Sequence, residues 1–306
     1  MAKKISVIIP NYNGRRLLAN NLPTVIKNCS SCEIIVVDDG STDDSVDFLN
    51  KNFNKVKIIA LKKNKGFAAA VNEGVKQAKG DLVALLNSDV SPQPNFLQPA
   101  IVHFNDDRIF AVGFADRSHE KDRIVIRGRG GACFEKGFIN HFRAPPVPGE
   151  TFWASGGSGL FDKQKFLELG GFDTIFAPFY WEDIDLCFRA WQKGYQCLFE
   201  PKSCVDHFHE EGAIKKRCSK FFIKCTSYKN QFLFVWKNIS DPIWLIQHLI
   251  WMPYHFLKAI VTIDSAFIIG FFWALTKIPR LVFNFQFSTF NFKLTDREVL
   301  DKFAKP

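Results

Sequence analysis

The sequence predicts an α/β fold, a mostly parallel, Rossmann-like sheet with helices on both faces, followed by a C-terminal amphipathic helical region. Two observations predict the sheet. Over residues 1–86, apolar runs of five or six residues alternate with helix-length stretches, the pattern of βαβ units. The runs are apolar throughout and do not alternate with polar residues, so both faces of each strand are covered. A third observation predicts the helical region: beyond residue 200 the chain turns basic and rich in phenylalanine.

The elements follow in order. ISVII at 5–9 is a strand ended by Pro10, and 15–28 is a helix. EIIVV at 33–37 is the second strand, followed by a turn over Asp38–Ser41 and a helix at 44–53 with Thr42 or Asp43 as its N-cap. VKIIA at 56–60 is the third strand, with a helix at 67–79 closed by Gly80, and DLVALL at 81–86 is the fourth strand. Residues 117–150 are weakly patterned and read as loops and short strands. FWASGGSGLF at 152–161 reads as a strand whose missing side chains let a substrate approach, with a helix at 163–169 and a break at Gly170–Gly171. Residues 181–193 form an amphipathic helix with Ile184, Cys187, Phe188 and Trp191 on one face. Two further strands, 195–199 and 203–206, lead to His207 and His209.

Parallel sheets bind ligands beyond the C-terminal ends of their strands. The turns at 10–14, 38–41, 64–66 and 87–89 therefore share one rim. Asp38 and Asp39 there can accept hydrogen bonds from a base or a ribose, although Asp, Gly, Ser and Thr also make ordinary turns. Asp89, past a buried strand, is a natural ligand for Mg²⁺ or Mn²⁺ beside a diphosphate, and Asn87-Ser88-Asp89 is equally an ordinary turn. Glu182, Asp183 and Asp185 open a helix, where acidic residues favour the dipole. One of them facing the cleft would serve as a general base. Asp183 and Asp185 point in different directions, so both do not belong to the site. His207 and His209 would lie on one strand face, as metal ligands or as structural histidines.

Composition bounds the alternatives. With 306 residues, 47% hydrophobic and 23% charged, the chain is globular and has room for about two domains. The net charge of +9 is concentrated in residues 201–306, which hold 15 basic against 8 acidic side chains. The eight cysteines show no zinc-type spacing, and Cys29-x-x-Cys32 lacks a redox context. MAKKISVIIP runs straight into a strand with no signal peptide, which predicts a cytoplasmic protein with free thiols. Residues 213–237 hold seven basic and no acidic residues, and Phe221, Cys225, Tyr228, Phe232 and Val235 share one helical face. That pattern predicts a helix lying in an anionic membrane interface, peripheral on the cytoplasmic face of the inner membrane. Residues 243–275 are apolar but interrupted by His248, Pro253, His255, Lys258 and Asp264, which argues against a clean span. A helical homodimer interface is the alternative. Nucleic acid is disfavoured, because the aromatics sit in long apolar runs.

The segments PNYNG at 10–14, VVDDGSTD at 36–43, NKGFAAAVNEG at 64–74, LLNSDV at 85–90, GGFD at 170–173, FYWEDIDLCFRAWQKGY at 179–195 and VDHFH at 205–209 occur in order. Together, over residues 4–212, the chain resembles the family 2 glycosyltransferases of GT-A fold, in particular the bacterial branch of rhamnosyl- and galactofuranosyltransferases that builds surface polysaccharides. The resemblance implies an inverting transfer of a sugar from a nucleotide diphosphate-sugar to a saccharide or lipid-linked acceptor, assisted by Mg²⁺ or Mn²⁺. It implies a GT-A domain over 1–212, with a donor-binding half at 1–115 and an acceptor half at 116–212, and a membrane-associating region at 213–306. By the same resemblance Pro10, Asn11, Tyr12, Asp38 and Asp39 would line the nucleoside pocket. Asn64, Lys65, Gly66, Asn87, Ser88 and Glu182 would complete the donor contacts. Asp89 would bind the metal, with His207 as a late metal or phosphate contact and His209 as its alternative, and Asp183 would be the catalytic base. The first carboxylate of the family's DxD is Asn87 here, which leaves the metal one carboxylate fewer. A nucleotidyltransferase would need a glycine-rich basic loop after the first strand, where this chain has PNYNG; a non-catalytic assembly protein would not need Asp89 and Asp183.

Overall fold

A computed structural model describes residues 3–120, 123–208, 218–285 and 292–303. Its frame is a parallel ladder of β1 (Ile5–Asn11), β2 (Glu33–Asp38), β3 (Lys57–Ala60) and β4 (Leu82–Leu86), ordered β4-β1-β2-β3. Between them run α1 (Arg15–Asn28), α2 (Ser45–Asn52) and α3 (Phe67–Gln77). Alternation along each strand splits the core in two. Ile8, Val37 and Leu85 pack on the side of Val71 and Val75 of α3. Val7, Ile9, Val36 and Leu86 pack on the side of Leu18, Leu22 and Leu49 of α1 and α2. α2 begins one residue later than expected and without a side-chain cap; Asp43 instead takes the Ser45 amide at 3.1 Å.

The second half adds strands of both senses, so the complete sheet is mixed. β5 (Val90–Pro92) and α4 (Leu97–Ile101) lead to β6 (Ile109–Glu120), which pairs in parallel with β12 (Gln196–His207). β11 (Ser158–Asp162) lies antiparallel between β4 and β6. β7 (Arg123–Arg127) borders β6, β8 (Gly130–Glu135) and β9 (Phe138–Arg143) form a separate hairpin, and β10 (Gly149–Glu150) edges β12. α5 (Lys163–Glu168) and α6 (Glu182–Gln192) complete this lobe. The two strands expected at 195–206 are one strand, irregular between Glu200 and Cys204, where Pro201 cannot donate to the ladder.

One expected strand is largely a loop. Of the 152–161 run, only residues 158–161 pair in the sheet, within β11. What approaches Gly156 and Gly157 is protein: a Cβ on Gly157 would collide with the Asn87 amide, and one on Gly156 would stand 2.9 Å from the Phe172 ring.

The C-terminal region comprises α7 (Lys220–Asn238), α8 (Pro242–Val261), α9 (Ser265–Leu275), α10 (Ile278–Phe285) and α11 (Asp296–Asp301). Here the interfacial expectation for 213–237 is corrected. Residues 213–217 lie outside the described residues, and α7 turns its aromatic face into the protein. Phe232, Leu233, Phe234 and Val235 are wholly buried, Cys225 is buried, and of the predicted face only Phe221 is exposed. Burying each such large side chain is worth about 1.5–3 kcal/mol, and here the protein's own core supplies that burial. Phe232 and Val235 belong to the same apolar cluster as Val37 and Leu85. α9 crosses α7 closely at Gly270, where a Cβ would stand 2.7 Å from Tyr228 Cβ. Among the described residues no helix is long and apolar enough to cross a membrane.

Candidate active site

The expected rim exists as a ring of contacts. At the end of β1, Asn11 Nδ2 donates to Asp38 Oδ2 at 2.8 Å. Asp38 also takes the Ser41 amide at 2.8 Å and the Ser41 hydroxyl at 2.6 Å, which fixes the turn after β2. Gly40 is required there: its φ is +71° and a Cβ would meet the Lys63 backbone at 2.5 Å. Asp39 accepts from the Lys65 and Gly66 amides, both at 2.8 Å, and so draws the 64–66 loop onto the rim. Burial raises the Asp39 carboxyl above its ordinary value, and these two amides oppose the rise. Asn64 and Lys65 are exposed, Pro10 is half-buried, and Tyr12 is exposed beside it.

The ring closes through two glycine contacts and one loop. A Cβ on Gly14 would collide with Asn11 Oδ1 and stand 3.6 Å from Ser88 Oγ, so β1 and the 87–89 turn meet there. Asn87 packs on Gly157, and its amide donates to the Gly157 carbonyl at 2.9 Å. The next residue back, Gly156, donates its amide to Asp183 Oδ2 at 3.1 Å. Opposite, Gly66 lies against Ala177 and Pro178, on the loop that leads into Asp183. The structure thus brings together Asn11, Asp38, Asp39, Gly66, Asn87, Ser88 and Asp183.

Asp89 lies beside His207 from the end of β12, with Oδ1 3.3 Å from Nε2. The other imidazole nitrogen is held by Asp116 of β6 at 2.6 Å. Burial would lower the His207 pKa, but the Asp116 and Asp89 carboxylates override it and push it up to about 9. A carboxylate and an imidazole whose far nitrogen is fixed by a second carboxylate suit a divalent cation. The described residues contain no group of three or more potential protein ligands, so the other positions would fall to phosphate oxygens and water, as such ions accept. His209 lies outside the described residues. Asp116 was not assigned a role from the sequence; its signal there is an acidic residue closing the apolar run 109–115.

Asp183 is held on its other oxygen by the Ile184 amide at 2.9 Å. Burial raises its pKa, against the pull of these amides. Glu182, buried at 6% exposure, is raised to about 8 by burial and then by its neighbour Asp183. Asp185 is not part of the ring: it is wholly buried against Arg189 at 2.7 Å and Lys237 at 2.6 Å. Two buried oxygens near the ring, Asn11 Oδ1 and Glu182 Oε2, have no hydrogen-bond partner among the described residues.

A family model described as glycosyl transferase family 2 matches residues 6–170. Among curated proteins, the chain is 29% identical over 211 residues to the pre-mycofactocin glycosyltransferase of Mycobacterium tuberculosis, covering 68% of this chain and 43% of that protein. It is 36% identical over 125 residues to the undecaprenyl-phosphate 4-deoxy-4-formamido-L-arabinose transferase of Proteus mirabilis, covering 38% of each. The chain thus spans less than half the length of these curated relatives. Among solved structures, GalNAc-T7 with UDP, GalNAc and Mn²⁺ superposes with a TM-score of 0.63 at 21% identity, over 79% of this chain and 49% of that one, a likeness of fold.

Proposed function

We propose, from the premise that this chain belongs to glycosyl transferase family 2, that it moves a sugar from a nucleotide diphosphate-sugar to an acceptor hydroxyl with inversion at the anomeric carbon. The observation that carries the reading is the ring itself: a half-buried carboxylate, Asp183, joined to the Asn87–Asp89 turn through Gly156 and Gly157. In this reading Asp38, Asp39 and Asn11 receive the nucleoside, with Pro10, Tyr12 and the 64–66 loop at its edge. Asn11 Oδ1 is an acceptor that a donor hydroxyl or a base N–H would satisfy.

Asp89 and His207 would hold the divalent cation, with Asp116 orienting the imidazole. When bound, the cation neutralises charge that develops on the diphosphate leaving group. Asp183 takes the proton of the acceptor hydroxyl as that oxygen attacks. A base raised above the ordinary carboxylate range is better matched to a hydroxyl proton than an exposed aspartate, and the Gly156 amide fixes its direction. The Glu182 carboxyl beside it is raised to about 8 by burial, which favours its neutral form and limits like-charge repulsion next to the base. The test is release of nucleoside diphosphate from a panel of nucleotide sugars, with Mn²⁺, Mg²⁺ or chelator. Metal-dependent turnover of one donor supports the reading; a folded protein that binds and turns over none overturns it.

The acceptor, in this reading, is a saccharide or a lipid-linked sugar in surface polysaccharide or glycolipid synthesis. The name of the Proteus relative, an undecaprenyl-phosphate transferase, supports the lipid-linked form. The membrane contact moves from α7 to α8. Ile246, Leu249, Ile250, Leu257, Ile260 and Val261 are all more than half exposed along that helix. Lys258 is exposed on the same helix, and Lys136 sits over Tyr254 at 5.7 Å. Exposed aliphatics beside lysines, in the part of the chain that carries the basic excess, suit an anionic lipid surface. The enzyme would then work peripherally at the cytoplasmic face of the inner membrane. Flotation with vesicles of anionic or neutral lipid tests this; a stable dimer that ignores both would assign the face to a second copy.

A further inference from the structure

α7 carries a set of polar side chains that neither a membrane helix nor a packing helix needs. Lys229 and Asn230 are wholly buried. Both reach the loop between Phe176 and Trp181, which delivers Glu182 and Asp183. Asn230 Nδ2 lies 2.7 Å from the Phe176 carbonyl, 2.9 Å from that of Phe179 and 2.8 Å from that of Tyr180. Lys229 Nζ donates to the Ala177 carbonyl between them and lies 4.5 Å from the Trp273 ring of α9. Four carbonyls within five residues are thus gathered by two adjacent side chains some 50 positions away.

This loop needs holding. Tyr180 and Trp181 are consecutive non-glycine residues with φ of +73° and +77°. Such conformations cost on the order of 1–3 kcal/mol each and persist where the surroundings over-determine them. Beyond the loop, α7 grips α6 again: Lys237 and Asn238 bond Asp185 Oδ1 at 2.6 and 2.9 Å. Trp181 itself packs on Phe234 of α7, with ring centroids 5.1 Å apart. Asp183 therefore sits between two polar attachments to one helix. Gly66 of the donor-side rim touches the same loop at Ala177 and Pro178.

We infer that Lys229 and Asn230 are positioning residues for the catalytic base, and that α7 is a working part of the active site. The inference rests on the assignment of Asp183 as the base. Without the clamp, the left-handed pair at 180–181 relaxes and Asp183 swings away from the Gly156 amide and from the acceptor oxygen. Donor contacts made by β1, β2 and the 87–89 turn stay in place. Misplacement of a reacting group by about 1 Å costs about 10²-fold in rate.

The experiment compares Asn230→Ala, Lys229→Met and Lys229→Gln in the full chain, reading kcat, donor KM, nucleoside diphosphate affinity and Tm. Asn230→Ala and Lys229→Met should lose ten- to hundredfold in kcat, with donor KM and nucleotide affinity within threefold of the parent. Lys229→Gln keeps an N–H donor for Ala177 and should return kcat to within threefold. If Asn230→Ala does not fold, the Met and Gln pair decides. Unchanged kcat in folded variants, equal loss in Met and Gln, or kcat and nucleotide affinity falling together overturns the inference. Asp183→Asn run beside them separates the two readings: an active Asp183→Asn removes the base itself, whereas an inactive one with a normal Asn230→Ala removes only the clamp.

Discussion

The donor side of the ring and the base side are assembled by different rules. On the donor side each polar group is placed by a motif at a strand end and held by a neighbouring turn: Asn11 by Asp38, the 64–66 loop by Asp39. On the base side Asp183 is placed by groups remote in sequence, Gly156 on one flank and α7 on the other through the 176–181 loop. The first arrangement tolerates changes elsewhere in the chain, since parallel strands fix it. With Asp183 as the proposed base, the second would couple catalysis to the packing of the C-terminal helices. Damage to the donor side should therefore appear in binding, and damage to the base side in turnover.

The sharpest break in that comparison is Asp183→Asn. The amide keeps the size and can still take the Gly156 N–H, but it cannot accept a proton. Removal of a general base is worth roughly 10²–10⁴ in rate. We expect kcat to fall by that range with nucleotide affinity unchanged; a variant with near-normal kcat would falsify the assignment.

On the donor side the counterpart is Asp116→Asn. It leaves Asp89 and His207 in place and loosens the imidazole that Asp116 holds at 2.6 Å. Loss of such an outer partner costs roughly 10–100-fold in metal affinity. Titration of activity with Mn²⁺ should show that shift, with kcat at saturating metal changed far less. Equal Mn²⁺ half-saturation in parent and variant would remove Asp116 from the metal site.

Glu182→Gln separates the two adjacent carboxyls, of which only Glu182 is fully buried. With Asp183 as base, burial puts the acid limb of kcat above the ordinary carboxylate range, and the variant keeps that limb and most of kcat. Stability should respond instead. The folded pKa of Glu182 is about 8, above its unfolded value, so the native state holds a proton that the unfolded chain releases. Stability then falls as pH rises from the carboxylate range to about 8 and levels beyond it. Glu182→Gln lacks this term. The Tm of the parent, compared with that of the variant, should drop progressively between pH 5 and 8; a pH-independent difference, or loss of kcat in the variant, would exchange the roles of the two carboxyls.

The same contrast explains what the sequence made legible. The four parallel strands and their rim turns were readable because an unbroken apolar run followed by Asp, Asn and Gly has few other uses. β6 and Asp116 are harder to read, since the run at 109–115 lacks a flanking helix to frame it as a βαβ unit. Gly156 and Gly157 read as an opening for substrate because a missing side chain marks close approach without saying by what. α7 was the plainest misreading. Seven basic residues and an aromatic face look the same whether the face meets lipid or a core, and only the fold shows Lys229, Asn230 and Lys237 turned inward to carbonyls and carboxylates. Periodicity reports that a face is apolar; it does not report the partner.

The smallest expected effect sharpens the comparison between α7 and α8. Phe232 of α7 is wholly buried, and truncation to Ala should cost about 3–5 kcal/mol of stability. Leu249 and Ile250 of α8 are 69% and 68% exposed. Changing both to Asp removes little internal packing, so the stability should stay within the scatter of surface substitutions, about ±0.5 kcal/mol each. Turnover of a soluble acceptor should also be unaffected, because α8 makes none of the contacts to the 176–181 loop described above. What should change is flotation with anionic vesicles, since two carboxylates would face the lipid headgroups. If the double variant instead unfolds the chain, the face is covered by the protein's own packing; if it floats as well as the parent, lipid binding lies elsewhere on the surface.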